Sequence, residues 1–423
     1  MMKNKKIAII GLGYVGLPLA MEFGKSREVI GYDIDTKRVD ELQNNIDTTL
    51  EVTPKEFKNL KNTIFTNKIS DIKECAIYIV TVPTPVHIDK GPNLTPLISA
   101  SEMIGKVLKT GDLIIYESTV YPGATEEVCI PILEKVSKLK INKDFTCGYS
   151  PERINPGDKD RHVTSIKKVT SGSSESAAIE VDNLYKEIIA AGTHLAGSIK
   201  IAEASKVIEN IQRDLNIALV NELSIIFNKL EIDTEAVLKA AGTKWNFLSF
   251  MPGLVGGHCI GVDPYYLIHK SKQVGYTPEL ILSARKINEY MGEHITNKIV
   301  DLMKGKKIKI EDANILIMGF SFKENCPDIR NTRIIDIHHN FEKLGCNVEI
   351  FDPYVNKDEV KKDFNLCLIN KPEQSKYDVI LMAVAHDKFK RLSLKNITSF
   401  AKETHVLYDV KYLLKNNDSD GRL

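Results

Sequence analysis

The chain has 423 residues, 43% of them hydrophobic, and a formal net charge of +1 from 57 basic and 56 acidic residues. That length exceeds one ordinary domain and suffices for two or three, each with its own core. The charge balance points to no nucleic-acid partner and to no acidic disordered tail. Seven cysteines, an odd number, show neither CxxC pairs nor zinc-ligand spacing, which fits a reducing, cytoplasmic compartment better than a disulfide framework.

At the N-terminus Lys3, Lys5 and Lys6 precede Ile7-Ala8-Ile9-Ile10, a superficial copy of a signal peptide. The apolar run is short, Gly11, Gly13 and Gly16 interrupt it, and Glu22 and Lys25 follow, so secretion is not expected. No stretch reaches the roughly 18 apolar residues of a membrane-spanning helix.

Residues 7–10 predict a short buried strand, followed by a Gly-rich turn and a helix over Leu17–Lys25. Val29–Tyr32 predicts a second strand ending at Asp33, and Ala76–Val82 and Asp112–Tyr116 predict further ones. Strands separated by helical stretches imply βαβ units and a parallel sheet covered on both faces. From about Lys200 the pattern changes. Ile208, Ile211, Leu215, Leu219, Leu223 and Ile226 recur at helical spacing and predict one long amphipathic helix from Lys200 to Leu230. Helix is also predicted over Thr234–Ala241 and Pro278–Lys304, around a loop from Gly242 to Pro264 rich in Gly, Pro and aromatics. Ala313–Met318, Val348–Phe351 and Val379–Val384 then read as strands again. The expected fold class is α/β, with two Rossmann-like parallel-sheet domains (1–195 and 306–423) joined by a central helical domain (196–305). The charged tail after Lys415 is expected to fray.

Gly11-Leu12-Gly13-Tyr14-Val15-Gly16 fits GxGxxG. Its glycines allow a tight turn and close approach to a pyrophosphate, whose charge sits at the N-terminus of the next helix. The pattern alone is weak, but here it follows a strand and opens a helix. Asp33 lies at the end of the next strand, where a carboxylate accepts from a ribose 2′-OH, favouring NAD over NADP. Arg38, nearby, would suit a 2′-phosphate. The second α/β unit keeps only Gly319 in its turn and is expected to hold a different phosphate-bearing ligand, with Lys323 supplying charge.

Gly253-Leu254-Val255-Gly256-Gly257-His258-Cys259-Ile260-Gly261-Val262-Asp263-Pro264 places one cysteine among four glycines, with His258 beside it and Asp263 four residues on. A thiolate there is a candidate nucleophile toward an aldehyde. The other reading is a small buried hydrophobe, as most cysteines are. Cys75 and Cys147 read as core; Cys326, near Lys323 and Arg330, is the one competing thiol. Lys206 and Asn210 share a helix face and suit an oxyanion, or else belong to a solvated stripe. Glu152, in Ser150-Pro151-Glu152-Arg153, follows a strand end where a carboxylate suits acid–base work; a plain surface carboxylate is the alternative. Adjacent His338 and His339 point two ways on a helix, and no metal is expected.

Together these stretches, with Val82-Pro83-Thr84-Pro85, Ser118-Thr119-Val120, and Phe322-Lys323 through Asp328 and Arg330, resemble the UDP-glucose/GDP-mannose dehydrogenase family over essentially the whole chain. The resemblance implies an N-terminal NAD domain, a C-terminal UDP domain, and a central helical region that forms a homodimer. It implies Cys259 as nucleophile, surrounded by Thr119, Glu152, Lys206, Asn210 and Asp263. Gly11, Gly13, Tyr14, Val15, Gly16, Asp33, Arg38, Thr84, Thr119 and Arg330 are implied as cofactor contacts. Glu152, Lys206, Asn210, Phe250, Gly253, Gly256 and Lys323 are implied as substrate contacts. The implied reaction oxidises the C6 alcohol of a UDP-sugar to a carboxylate in two NAD-dependent steps, through a thiohemiacetal and a thioester on Cys259. The base of the first step is open between Lys206 and a water held by Asp263.

Gly242-Thr243-Lys244-Trp245-Asn246-Phe247-Leu248 and Gln212-Arg213-Asp214-Leu215-Asn216 resemble the subgroup acting on UDP-N-acetylhexosamines, the UDP-N-acetylglucosamine and UDP-N-acetylgalactosamine dehydrogenases of capsule and O-antigen synthesis. Plain UDP-glucose enzymes usually carry Lys where Val262 stands. UDP-N-acetylmannosamine and UDP-glucose are the alternative substrates. Three other readings are a two-electron dehydrogenase without need of Cys259, a non-catalytic nucleotide-sugar binder, and a hydroxyacid-type dehydrogenase lacking the second Rossmann-like unit.

Overall fold

The computed structural model describes residues 5–58, 60, 62–87, 89–154 and 162–423; Lys3 of the N-terminal basic run lies outside them. The chain divides into two compact units, Met1–Glu209 with Tyr265–Tyr276, and Asn210–Pro264 with Thr277–Leu423. The helices of the middle of the chain are shared between the two units.

The first unit is built on an eight-stranded sheet of β1 (Ile7–Ile10), β2 (Val29–Tyr32), β3 (Thr63–Thr66), β4 (Ile77–Val80), β5 (Leu113–Tyr116), β6 (Thr146–Tyr149), β7 (Lys168–Gly172) and β8 (Thr193–Leu195), in the order β3-β2-β1-β4-β5-β6-β7-β8. β1 lies inside the sheet, with Ile7 opposite Val29 on one side and Ile77 on the other. All pairings are parallel except β6 with β7. β1, β4 and β5 are buried at every position, because helices cover both faces and leave no solvent side for polar alternation.

The second unit carries a five-stranded, all-parallel sheet of β9 (Asn314–Met318), β10 (Asn347–Phe351), β11 (Tyr377–Met382), β12 (Ala401–Asp409) and β13 (Gly421–Arg422), ordered β10-β9-β11-β12-β13. Its strands divide their side chains with period two. Ile315, Ile317, Val379, Leu381 and Val406 pack with Met291, Ile295 and Ile299 of the helix Glu279–Gly305. Leu316, Met318, Ile380, Met382 and Leu407 face the other way, onto Phe389 and Ile397. This second sheet is the feature that a hydroxyacid-type dehydrogenase was expected to lack.

Two expectations are corrected. The tail after Lys415 does not fray: Asn416–Asp418 forms a 3₁₀ turn, Gly421–Arg422 pairs with β12, and Leu423 is buried. Arg422 supplies the anchor, forming ion pairs with Asp233 and with Glu235 at 3.0 Å. The long helix Ile199–Lys229 forms as expected, but its apolar stripe is not uniformly its buried face. Ile208 and Leu219 are each 54% exposed, whereas the polar residues Glu203, Lys206, Asn210, Asp214 and Asn221 are buried. Burying a polar group without a partner is costly, so a buried polar stripe marks a helix face committed to specific interactions.

Candidate active site

In the first unit the backbone turns sharply after β1. Gly11 adopts φ +95°, and a Cβ on Gly16 would lie 1.8 Å from the Gly11 carbonyl oxygen and 2.5 Å from Thr81 Oγ1. Both glycines are therefore demanded by the turn. Gly13 differs: among the described residues, no atom beyond its chain neighbours lies within 4 Å of where its Cβ would be. The space beside it is open to a ligand. Tyr14 and Val15 are half-buried in the turn, and Val15 caps the helix Gly16–Phe23 without a side-chain hydrogen bond; in its first turn Leu17 N donates to Gly13 O at 3.2 Å and Pro18 has no N–H. Asp33 ends β2, and its Oδ2 accepts from Leu12 N at 2.7 Å. Arg38 is turned inward. Its Nε donates to Leu12 O at 2.9 Å and its Nη2 pairs with Asp47 at 2.8 Å. Thr84 Oγ1 donates to Thr119 O at 2.7 Å, so two expected cofactor contacts meet at the ends of β4 and β5. The strand-end acid Asp33 and the open space beside Gly13 fit a dinucleotide.

Glu152 follows β6 and is buried rather than on the surface. Burial would raise its pKa, but the Lys168 ammonium 3.2 Å away and N–H groups of Ile154 and Arg153 outweigh burial and hold it below the usual range.

In the second unit Asp263 and Asn210 are brought together. Asn210 Nδ2 donates to Asp263 Oδ2 at 2.5 Å, and both are buried. Asp263 opens the helix Asp263–Gln273, with its N–H donating to Cys259 O at 2.8 Å. Cys259 is half-buried, whereas the competing Cys326 is buried and its thiol pKa is pushed up by burial. The loop glycines are fixed by packing. Gly257 has φ +80°, and a Cβ there would stand 2.8 Å from the Phe322 ring; one on Gly256 would stand 2.8 Å from Asn331 O. Gly253 is held at both ends of its peptide by Asn221, whose Oδ1 accepts from Gly253 N at 2.8 Å and whose Nδ2 donates to Gly253 O at 3.0 Å. Phe250 is half-buried just before it.

The same unit holds a small open cleft, with Gly256, Phe322, Lys323, Arg333 and Lys411 on its wall. Asp352 ends β10 as Asp33 ends β2, yet it is wrapped. Its oxygens accept from the N–H groups of Phe320, Ser321 and Tyr354, and His386 Nε2 lies 3.0 Å away. Asp352 is 2% exposed and cannot serve a ribose as an exposed strand-end acid does. Arg330 is turned to Asp328, with Nε donating at 2.9 Å.

The histidine pair is a further correction. His338 and His339 converge instead of pointing apart, and with Glu342 their donor atoms lie within 4.8 Å of one another. Residues i and i+1 leave a helix about 100° apart, but rotation of the side chains closes that gap, and Glu342 sits one turn on. Two polar networks escaped the sequence reading. Glu117, Lys168 and Tyr185 surround Glu152's carboxylate neighbourhood. Asp214, Arg285 and Asn288 stand behind Asn221. The only signal for either was a charged or amide residue inside an otherwise apolar strand or helix face.

A glycine turn with a strand-end acid on a parallel sheet, a second α/β unit with a cationic cleft, and a cysteine in a glycine-rich loop define a dinucleotide-dependent oxidoreductase of a phosphorylated substrate. Models of the NAD-binding, central and UDP-binding domains of the UDP-glucose/GDP-mannose dehydrogenase family match residues 5–189, 200–290 and 316–416. The chain belongs to that family and is an NAD-dependent nucleotide-sugar dehydrogenase. It is similar to the UDP-N-acetyl-D-glucosamine 6-dehydrogenases of Salmonella typhi (58% identical, 99% of this chain and 98% of that protein) and Pseudomonas aeruginosa (57%, 100% of each). Among solved structures, the UDP-D-ManNAc dehydrogenase of Pyrococcus horikoshii superposes with a TM-score of 0.89 at 28% identity, over 99% of this chain and 98% of that one. Among the described residues no helix is long and apolar enough to cross a membrane.

Proposed function

We propose that this chain oxidises the C6 hydroxymethyl of UDP-N-acetyl-D-glucosamine to the uronic acid, for surface polysaccharide synthesis. The observation that carries the chemistry is the buried Asn210–Asp263 pair adjoining the Cys259 loop. The sugar is carried by full-length relatives at 57–58% identity that act on it; the Staphylococcus aureus relative CapL, 49% identical, supports the capsule context.

NAD, when bound at the Gly11–Gly16 turn, supplies the hydride acceptor for both oxidations. In the first, the alcohol loses a hydride and its hydroxyl proton and becomes an aldehyde; Lys206 and a water held by Asp263 are the two candidate proton acceptors. Cys259 Sγ bonds to the aldehyde carbon while the carbonyl oxygen takes a proton, giving a thiohemiacetal. Loss of a second hydride and a proton leaves a thioester. Water adds to that carbonyl, the C–S bond breaks, and the carboxylate leaves with Cys259 restored. Glu152 and Asp263 orient or activate the water, and Lys206 and Asn210 stabilise the oxyanions. Thr119, Thr84, Asp33 and Arg38 belong to the cofactor site, as does Arg330. Lys323 and the cleft around it take the UDP diphosphate, with Phe250, Gly253 and Gly256 lining the sugar end. The three-part division at residues 195 and 305, a cytoplasmic location and a homodimer complete the reading. Exposed Ile208, Leu219, Ile226 and Trp245 favour the homodimer.

The test is NADH release from the purified protein with each UDP-sugar and excess NAD. Two NADH per UDP-N-acetylglucosamine, with turnover collapsing in Cys259→Ser, is expected. One NADH per sugar, or full activity in Cys259→Ser, would leave a simple alcohol dehydrogenase.

A further inference from the structure

Three strand ends of the first unit converge on one buried ammonium. Lys168 opens β7 and is 3% exposed. Its Nζ lies 2.6 Å from Glu117 Oε2, just past β5, and 3.2 Å from Glu152 Oε2, just past β6. Glu117 is 1% exposed, and its second oxygen accepts from the hydroxyl of Tyr185 on the helix Glu175–Lys186. The Tyr185 ring also lies under the ammonium, 5.2 Å from Nζ to its centroid. Glu152 Oε1 is fixed from the other side by Arg153 N at 2.5 Å and Ile154 N. The Arg153 guanidinium is directed elsewhere, to Glu209 at 2.6 Å and Lys167 O.

Two buried carboxylates thus share one buried cation. A lone ammonium or carboxylate at this depth would shed its charge. Lys168 keeps its charge because the two carboxylates face it, and Glu152 keeps its charge because Lys168 does. We propose that Lys168, itself anchored by Glu117 and Tyr185, is the positioning residue that holds the Glu152 carboxylate ionised and aimed for thioester hydrolysis. The inference rests on the reading of Glu152 given above. Burial pushes Glu117 up to about 7, against the pull of Lys168, while Glu152 is held low. Within the cluster a proton therefore goes to Glu117 in preference to Glu152. The antiparallel step between β6 and β7 has a purpose in this arrangement: it sets the first residue of β7 beside the residues that follow β5 and β6.

The experiment is the pH profile of NADH formation by the full-length enzyme at saturating UDP-N-acetylglucosamine and NAD, for wild type, Lys168→Met, Lys168→Arg, Glu117→Gln and Glu152→Gln. Lys168→Met is expected to lower kcat about 10- to 100-fold and to move the acid limb of kcat to higher pH. Its KM for the sugar should stay within about twofold. Lys168→Arg should restore much of kcat. A folded Lys168→Met with wild-type kcat and acid limb overturns the proposal. If Lys168→Met does not fold, Glu117→Gln and Tyr185→Phe decide by the same acid limb, and no movement in either overturns it. Glu152→Gln separates the two levels. Full activity there removes the reading of Glu152 and this proposal with it, whereas loss there with an unaffected Lys168→Met removes only the positioning role.

Discussion

Asn210 Nδ2 donates to Asp263 Oδ2 at 2.5 Å, joining the long helix Ile199–Lys229 to the first residue of the helix that follows the Cys259 loop. Neither group is exposed enough for solvent to replace its partner. An amide aimed by a carboxylate keeps one orientation, and a preorganised donor is what oxyanion stabilisation requires.

Removing either partner should therefore slow chemistry more than binding. Asn210→Ala and Asp263→Ala are each expected to lower kcat about 10²- to 10³-fold, with KM for the UDP-sugar changed far less. Asp263→Ala should also stall hydrolysis, so that intact-protein mass spectrometry after mixing with substrate finds an acyl adduct on Cys259. An unmodified protein turning over at the wild-type rate would contradict the role of the pair.

The glycine turn gives a paired prediction. A Cβ at position 16 meets the Gly11 carbonyl at 1.8 Å, so Gly16→Ala should cost the first unit its fold or much of its melting temperature. At position 13 the Cβ meets no atom of the described residues beyond its chain neighbours within 4 Å. Gly13→Ala should leave Tm within a degree or so of wild type while raising KM for NAD at least roughly tenfold, because only the pyrophosphate needs that space. Equal NAD affinity in Gly13→Ala would remove the dinucleotide from this turn.

β1, β2, β4, β5, β9, β10 and β11 were legible because strands of a covered parallel sheet are short, continuous apolar runs. Ile7–Ile10 and Val29–Tyr32 form with the bounds read from the sequence. Thr63–Thr66, Lys168–Gly172, Thr193–Leu195, Ala401–Asp409 and Gly421–Arg422 were missed: Thr63–Thr66, for one, is an edge strand with a threonine at each end and no such run. Asn210 and Asp263 were legible as site candidates from helix spacing and the glycine loop. The Lys168 cluster was not, since its members are 51 and 16 residues from Lys168 and only the order of the sheet brings them together. The long helix misled through its apolar period, because it buries a polar stripe alongside apolar residues and leaves Ile208 and Leu219 exposed.

Asn221 is the support of the cysteine loop most open to test. It clamps both backbone groups of Gly253 and is itself held by Asn288 Oδ1 at 2.8 Å, which is held in turn by Asp214 beside Arg285. Asn221→Ala leaves a buried N–H and C=O without partners, at about 1–3 kcal/mol each. A fall in Tm of about 5–15 °C is expected for a unit of this size. A melt within one degree of wild type would show that the loop is held by other contacts.

His294 should make the second unit acid-sensitive. It is buried in the helix Glu279–Gly305, its Nε2 has no hydrogen-bond partner among the described residues, and its pKa is lowered to about 4, chiefly by burial, with Lys298 and Lys229 adding repulsion. The unfolded chain takes up this proton near pH 6.5, the folded one not until about pH 4. The neutral ring's contribution is thus fully present above pH 6.5 and is lost as the pH falls through the window from 6.5 to 4, by up to about 3 kcal/mol. Replacing the titrating ring with a neutral group removes the loss. Denaturant midpoints measured from pH 7 to 4.5 should fall less steeply for His294→Gln than for wild type, even if His294→Gln starts lower at pH 7. Parallel slopes would mean that His294 is charged in the folded protein or that other groups carry its acid response.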